Sequence, residues 1–145
     1  AEAVIDYDSL FFSMRHGVMR HYKTMEPVES ICSAAVEASI DSKCPLIVAL
    51  TETGHTARVI AKYRPKAVIL AISASETTVR QLLSVRGVVP MLTASFVGTD
   101  SVISKALTRA KADGLAKAGD SVVAVHGQRE ECAGSSNLMK MVTVT

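Results

Sequence analysis

The chain has 145 residues, 16 Lys and Arg against 14 Asp and Glu, a net charge of +2 and 48% hydrophobic residues. That is room for one ordinary globular domain and too little for a TIM barrel of about 250 residues, while so apolar a chain can offset its ordering entropy and is not disordered. The near balance of charge gives no electrostatic reason to expect nucleic acid or an anionic membrane as partner.

Cys32, Cys44 and Cys132 are odd in number and widely spaced, with no CxxC pair, which points to a reducing compartment and away from a zinc site. The longest apolar runs, residues 46–50 and 68–72, fall far short of the roughly 20 needed to span a bilayer. Ala1-Glu2-Ala3 is acidic and lacks a basic signal region, and the first residue is not Met, so a processed chain or a piece of a longer one is expected.

In chain order, residues 1–22 carry Val4, Ile5, Leu10, Phe11, Met14, Val18 and Met19 at helical spacing, which predicts one helix that starts at Ala1 without an N-cap. A second helix is predicted from Pro27, pre-set for the first helical position, with a core stripe of Val28, Ile31, Cys32, Ala35, Val36 and Ile40. Residues 46–50 (LIVAL) contain no polar side chain, as a parallel strand covered on both faces would. A helix over residues 56–63 follows, stopped by Pro65, and residues 68–72 (VILAI) form a second such strand. Ser75 caps a helix bearing Val79, Leu82 and Leu83, predicted to end at Arg86 with Gly87 as its C-terminal cap. Residues 88–92 are a third strand, and Pro90 assigns it to a sheet edge. Thr99 or Asp100 opens a helix with Val102, Ile103, Ala106, Leu107 and Ala110 on one stripe, ended by Gly114. Strands are predicted at residues 121–125 and 138–144, with too short a connection for a helical crossover, so the last runs antiparallel. Alternating strands and helices with right-handed crossovers give a three-layer α/β/α domain around a five-stranded, mostly parallel sheet.

The most informative segment is the turn Thr51-Glu52-Thr53-Gly54-His55-Thr56 between the first strand and its helix. Hydroxyls, a glycine that lets the backbone approach closely, and the free amides of a helix N-terminus make a phosphate cradle at the carboxyl edge of a parallel sheet. The competing expectation is that Thr53 or Thr56 merely caps the helix and Gly54 merely turns the chain. The sequence holds no GxGxxG, GxxxxGK[ST], GxSxG or HExxH. His16 and His21 are five apart and read as surface residues rather than a metal pair; His126 reads as a strand-end histidine, Cys32 as core, Cys132 as an exposed thiol, and the basic run 62–66 as a solvated helix end. No metal site is expected in the chain.

Residues 51–65, TETGHTARVIAKYRP, resemble the signature of the C-terminal domain of pyruvate kinase, a hydroxyl-rich turn with a central Gly and a following Ala that leads to an Arg/Lys-Tyr-Arg-Pro helix end. The likeness covers the whole chain as a single domain, residues 1–145, with residues 1–22 the entering helix. Ala35-Val36-Glu37-Ala38-Ser39, Arg86-Gly87, Gly119-Asp120 and Asn137-Leu138-Met139 recur in matching order. The resemblance implies strand order 3-2-1-4-5 with the last strand antiparallel. It also implies an allosteric and assembly domain of a cytoplasmic, homotetrameric glycolytic enzyme. Phosphoryl transfer from phosphoenolpyruvate to ADP, with Mg²⁺ and K⁺, belongs to other domains of such an enzyme, so no catalytic residue and no cofactor are assigned to this segment.

By the same resemblance, Thr51, Thr53, Gly54, His55 and Thr56 hold one phosphate of a sugar-phosphate effector, and a loop spanning residues 127–137 closes over it with Arg129. Glu52 stands where several fructose 1,6-bisphosphate-activated members carry a basic residue, Gln128 where some have Trp, Val102 where some have an Arg for the second phosphate, and Glu130-Glu131 add acid to the loop. A helix N-terminus favours an anion by only ~0.3–1 kcal/mol at exposed sites. One carboxylate about 4 Å from a phosphate charge opposes it by ~1–4 kcal/mol, so a bisphosphate is expected to bind weakly. Two rivals remain open at this point: a free-standing sugar-phosphate or anion sensor of the same fold, and a small enzyme or receiver, which the lack of a carboxylate cluster at the strand ends disfavours.

Overall fold

A computed structural model describes residues 4–127 and 136–145. The element order is α1 (Tyr7–His21), α2 (Pro27–Asp41), β1 (Leu46–Leu50), α3 (His55–Lys62), β2 (Val68–Ser73), α4 (Glu76–Leu82), β3 (Val88–Leu92), α5 (Thr99–Ala112), β4 (Ser121–Gly127) and β5 (Ser136–Thr143). The strands form one sheet in the order β3-β2-β1-β4-β5, parallel except for the antiparallel pair β4 and β5. Both the fold class and the strand order expected above are therefore observed.

The helices distribute as right-handed crossovers require. From β1 to β3 the chain steps one way across the sheet, and α3 and α4 lie on one face; from β3 to β4 it steps back, and α5 lies on the other. Each central strand sends alternate residues to the two faces. Ile47, Ala49, Ile69, Ala71, Val123 and Val125 pack with Cys32, Val36, Ile60 and Leu82 under α2, α3 and α4, where α1 adds Phe11. Leu46, Val48, Leu50, Leu70, Ile72, Val122 and Ala124 pack against Ile103, Ala106 and Ala110 of α5. β1 is buried along its whole length, as a strand with no polar residue must be.

Several boundaries differ from expectation for local reasons. Helix α1 begins at Tyr7, because the Asp6 side chain accepts a hydrogen bond from the Ser9 amide at 3.1 Å; Val4, counted into its stripe, is exposed. Helix α4 ends at Leu82, four residues before Arg86. Its last turns tighten into i to i−3 bonds, Ser84 N–H to Gln81 O at 3.4 Å and Val85 N–H to Leu82 O at 3.1 Å. Gly87, with φ of 81°, turns the chain into β3 instead of capping the helix. Helix α3 starts one residue early at His55, β4 runs two residues further, and β5 starts two residues earlier and stops at Thr143. Pro90 sits on edge strand β3 as predicted.

Candidate anion site at the switch point

The reversal of direction across the sheet falls between β1 and β4, and the carboxyl ends of two such strands leave a crevice where open α/β folds bind ligands. The turn after β1 lies there. The Thr51 amide extends the ladder by donating to Ile72 O at 2.9 Å, which holds the start of the turn in line with β2. Beyond it the backbone carbonyls are claimed by donors from the protein. The Glu52 carbonyl accepts from the Thr78 hydroxyl at 2.8 Å and the Ser73 hydroxyl at 3.3 Å. The Thr53 carbonyl accepts from the Arg58 guanidinium at 3.1 Å, and the Gly54 carbonyl from the Arg58 amide at 3.0 Å.

Gly54 is the N-cap of α3, with φ of 83°, and no side chain caps the helix. Neither Thr53 nor Thr56 therefore takes the capping role that competed with the anion reading. The left-handed backbone at Gly54 is what requires glycine; a Cβ there would stand 2.9 Å from Arg58 Nη1 and 3.2 Å from Leu82 Cδ2, the ends of flexible side chains that can shift. With its carbonyls bonded to protein donors and its cap lacking a side chain, the first turn of α3 has amides that no side chain caps.

The predicted residues divide by placement. Thr53 and His55 are exposed, and His55 also lines a neighbouring cleft of about 210 Å³ with Glu29, Lys62 and Tyr22. Thr51 and Thr56 are buried. The Thr56 hydroxyl lies 2.8 Å from that of Ser136, the first residue of β5, and the Thr56 carbonyl accepts from the Cys32 thiol at 3.8 Å. Burial, with Glu29 nearby, pushes the Cys32 thiol up to about 12, so it stays a neutral core group as expected. Arg129, Gln128, Glu130, Glu131 and Cys132 lie outside the described residues.

Sequence reasoning missed Ser73, Thr78, Arg58 and Ser136, which brace the turn. Only Arg58 left a signal, its i+4 spacing from the cap glycine. On the α5 side, Asp100 in the first helical turn pairs with Lys140 of β5, which holds the Asp100 carboxyl below its usual range. An acid thus already sits at that helix start. His126 lies at the carboxyl end of β4, half-buried, with Nδ1 3.0 Å from the Gly127 carbonyl. The basic run is only partly solvated: Lys62 pairs with Glu29 at 2.6 Å, and Glu29 also accepts from the Tyr63 hydroxyl. Among the described residues no three His, Cys, Asp or Glu side chains converge on a common point. No helix among them is long and apolar enough to cross a membrane.

Residues 29–142 match the family model described as the pyruvate kinase alpha/beta domain. The chain belongs to that family. It is similar to pyruvate kinase of Eimeria tenella, 49% identical over 144 residues, and to that of Dictyostelium discoideum, 39% identical over 143 residues. Among solved structures it is similar to a Cryptosporidium parvum pyruvate kinase, with a TM-score of 0.90 and 38% identity over 99% of this chain. A second structure of the Cryptosporidium enzyme, in complex with ADP, gives 0.89 at 41% identity. The match takes 99% of this chain but only 27% of the Eimeria protein and 28% of the Dictyostelium one, so this pyruvate kinase domain spans about a quarter of the length of these relatives.

Proposed function

We propose that the chain is the regulatory and assembly domain of a pyruvate kinase, a transferase of glycolysis that moves phosphate from phosphoenolpyruvate to ADP. Family membership supports this reading, and the observation that carries the regulatory half is the braced, glycine-capped turn at the switch point. Thr51, Thr53, Gly54, His55 and Thr56 there bind inorganic phosphate or one phosphate of a sugar, with Arg129 closing from the connection between β4 and β5. Glu52, Glu130 and Glu131 oppose a second phosphate. The exposed edge of β5 joins two copies of the domain within a homotetramer. Mg²⁺ and K⁺ act in the parts of the longer enzyme that this chain does not supply. The cytoplasm is the proposed location, in keeping with the tobacco relative named as a cytosolic isozyme. The rival free-standing anion module gains nothing from relatives of which the chain spans 27–28%.

The catalytic half has a direct test. In a coupled assay for pyruvate, the longer protein that carries this chain is expected to turn over phosphoenolpyruvate and ADP. The 145-residue chain alone is expected to form no more pyruvate than a mock purification, because it offers neither a phosphate-loop lysine nor paired metal-binding acids. Turnover by the pure chain would place an active site inside it and contradict the assignment.

A further inference from the structure

A second cleft, of about 560 Å³, opens at the amino ends of β2 and β3, the edge of the sheet opposite the hydroxyl turn. Its volume lies within the range of small-molecule sites. Ile5, Leu10 and Met14 from the α1 side and Ile69 of β2 give it an apolar floor. Lys62, Arg64, Lys66 and Arg86 line it, and no Asp or Glu does among the described residues; Arg86 has a partner of its own. Lys62 is already paired with Glu29. Arg64 and Lys66 are exposed on either side of Pro65, and neither has a carboxylate partner among the described residues. Lys66 also borders a neighbouring cleft that contains Lys43 and Asp8, whereas Arg64 borders this one alone among the clefts described.

Backbone hydrogen bonds run along the lip. Arg64 adopts φ of 52° and donates its amide to Ala61 O at 3.0 Å, and the Gly87 carbonyl accepts from the Ile69 amide at 2.9 Å. An apolar floor beside a guanidinium and an ammonium without a carboxylate partner among the described residues selects for charge and for an apolar body together. A neutral hydrocarbon leaves the cations unused, and a bare anion leaves the floor unused.

We propose that this cleft binds a small organic carboxylate with an aromatic or aliphatic body, the body on the Leu10, Met14 and Ile69 floor and the carboxylate against Arg64 and Lys66. The site is separate from the phosphate turn and does not depend on it. The probe is 3-phenylpropanoate, titrated into the chain while the amide resonances of Ile69 and Gly87 are followed by NMR. The neutral 3-phenylpropanamide and acetate serve as arms lacking the charge and the body. The carboxylate is expected to bind about tenfold or more tightly than either, the factor a charged hydrogen bond supplies. Arg64→Glu with Lys66→Glu, both at exposed positions, is expected to abolish the shifts, and Leu10→Trp to block them with both cations intact. Equal binding of the amide, unchanged binding by the charge-reversed chain, or shifts confined to other residues would overturn the proposal. So would binding that vanishes in the longer protein, which would assign the cleft to contact with the remainder of the polypeptide.

Discussion

Met141→Pro is expected to turn a self-associating chain into a monomer. Strand β5 is the outer strand of the sheet, and its free edge is a template for another strand. Along it Leu138, Met139 and Met141 are 41%, 36% and 46% exposed, and the charge within the strand, Lys140, is turned to Asp100 of α5. Such edges are ordinarily blunted by charge or proline, so a run of exposed apolar residues calls for a partner. The competing expectation was that the first helix covers the strand with Val4, Phe11 and Met14. Instead α1 packs on α2, with Phe11 buried in that face of the core and Val4 exposed. Val142 and Val144, counted among the apolar faces of the edge, pack on the α5 side. A two-fold axis pairing β5 with its copy would cover what remains. Sedimentation of the wild type at tens of micromolar should give about twice the 15.4 kDa chain mass, and the proline variant the chain mass itself. Met141→Lys, which keeps the backbone donor, should have the same direction of effect without disturbing the pairing of Met141 with Val123. A monomeric wild type would leave assembly to other parts of the longer protein.

Phe11→Ala should lower the stability of the chain by ~3–5 kcal/mol, a large share of the ~5–15 typical of a domain. Phe11 is fully buried, its ring centroid 5.8 Å from that of Tyr63 and 5.1 Å from that of Phe12, so truncation opens a cavity between α1 and the α2 and α3 layer. The neighbouring Phe12 is exposed, and Phe12→Ala should cost less than about 1 kcal/mol. Urea denaturation with an unchanged m-value would read both. Near-wild-type stability of Phe11→Ala would show that α1 is an appendage and that the domain begins after residue 22.

What the sequence makes legible is whatever rests on a single run of residues. The five apolar residues of β1 and the proline of β3 identify a buried strand and an edge strand by themselves, because burial on both faces and a missing donor are local facts. The turn after β1 was legible for the same reason, its hydroxyls and glycine being contiguous. Its bracing was not. Ser136 meets Thr56 across 80 positions, and Thr78 reaches Glu52 across 26, and no periodicity reports such pairs. Nor could spacing show that the glycine, rather than a threonine, caps α3; that follows from its left-handed backbone, with φ of 83°. The end of α4 was misplaced because residues 83–86 carry no helix breaker, and the change to tighter hydrogen bonds leaves no compositional mark.

Calorimetric titration of the chain with inorganic phosphate and with fructose 1,6-bisphosphate, on the wild type, on Glu52→Lys and on Thr53→Ala with Thr56→Ala, bears most directly on the anion turn. Phosphate should bind the wild type, the bisphosphate should add little to it, and the double alanine variant should lose both. Glu52→Lys, which exchanges a repulsive charge for an attractive one beside the turn, should tighten phosphate binding by about tenfold or more. Micromolar binding of the bisphosphate to the wild type, unaffected by the two alanine substitutions, would contradict the site.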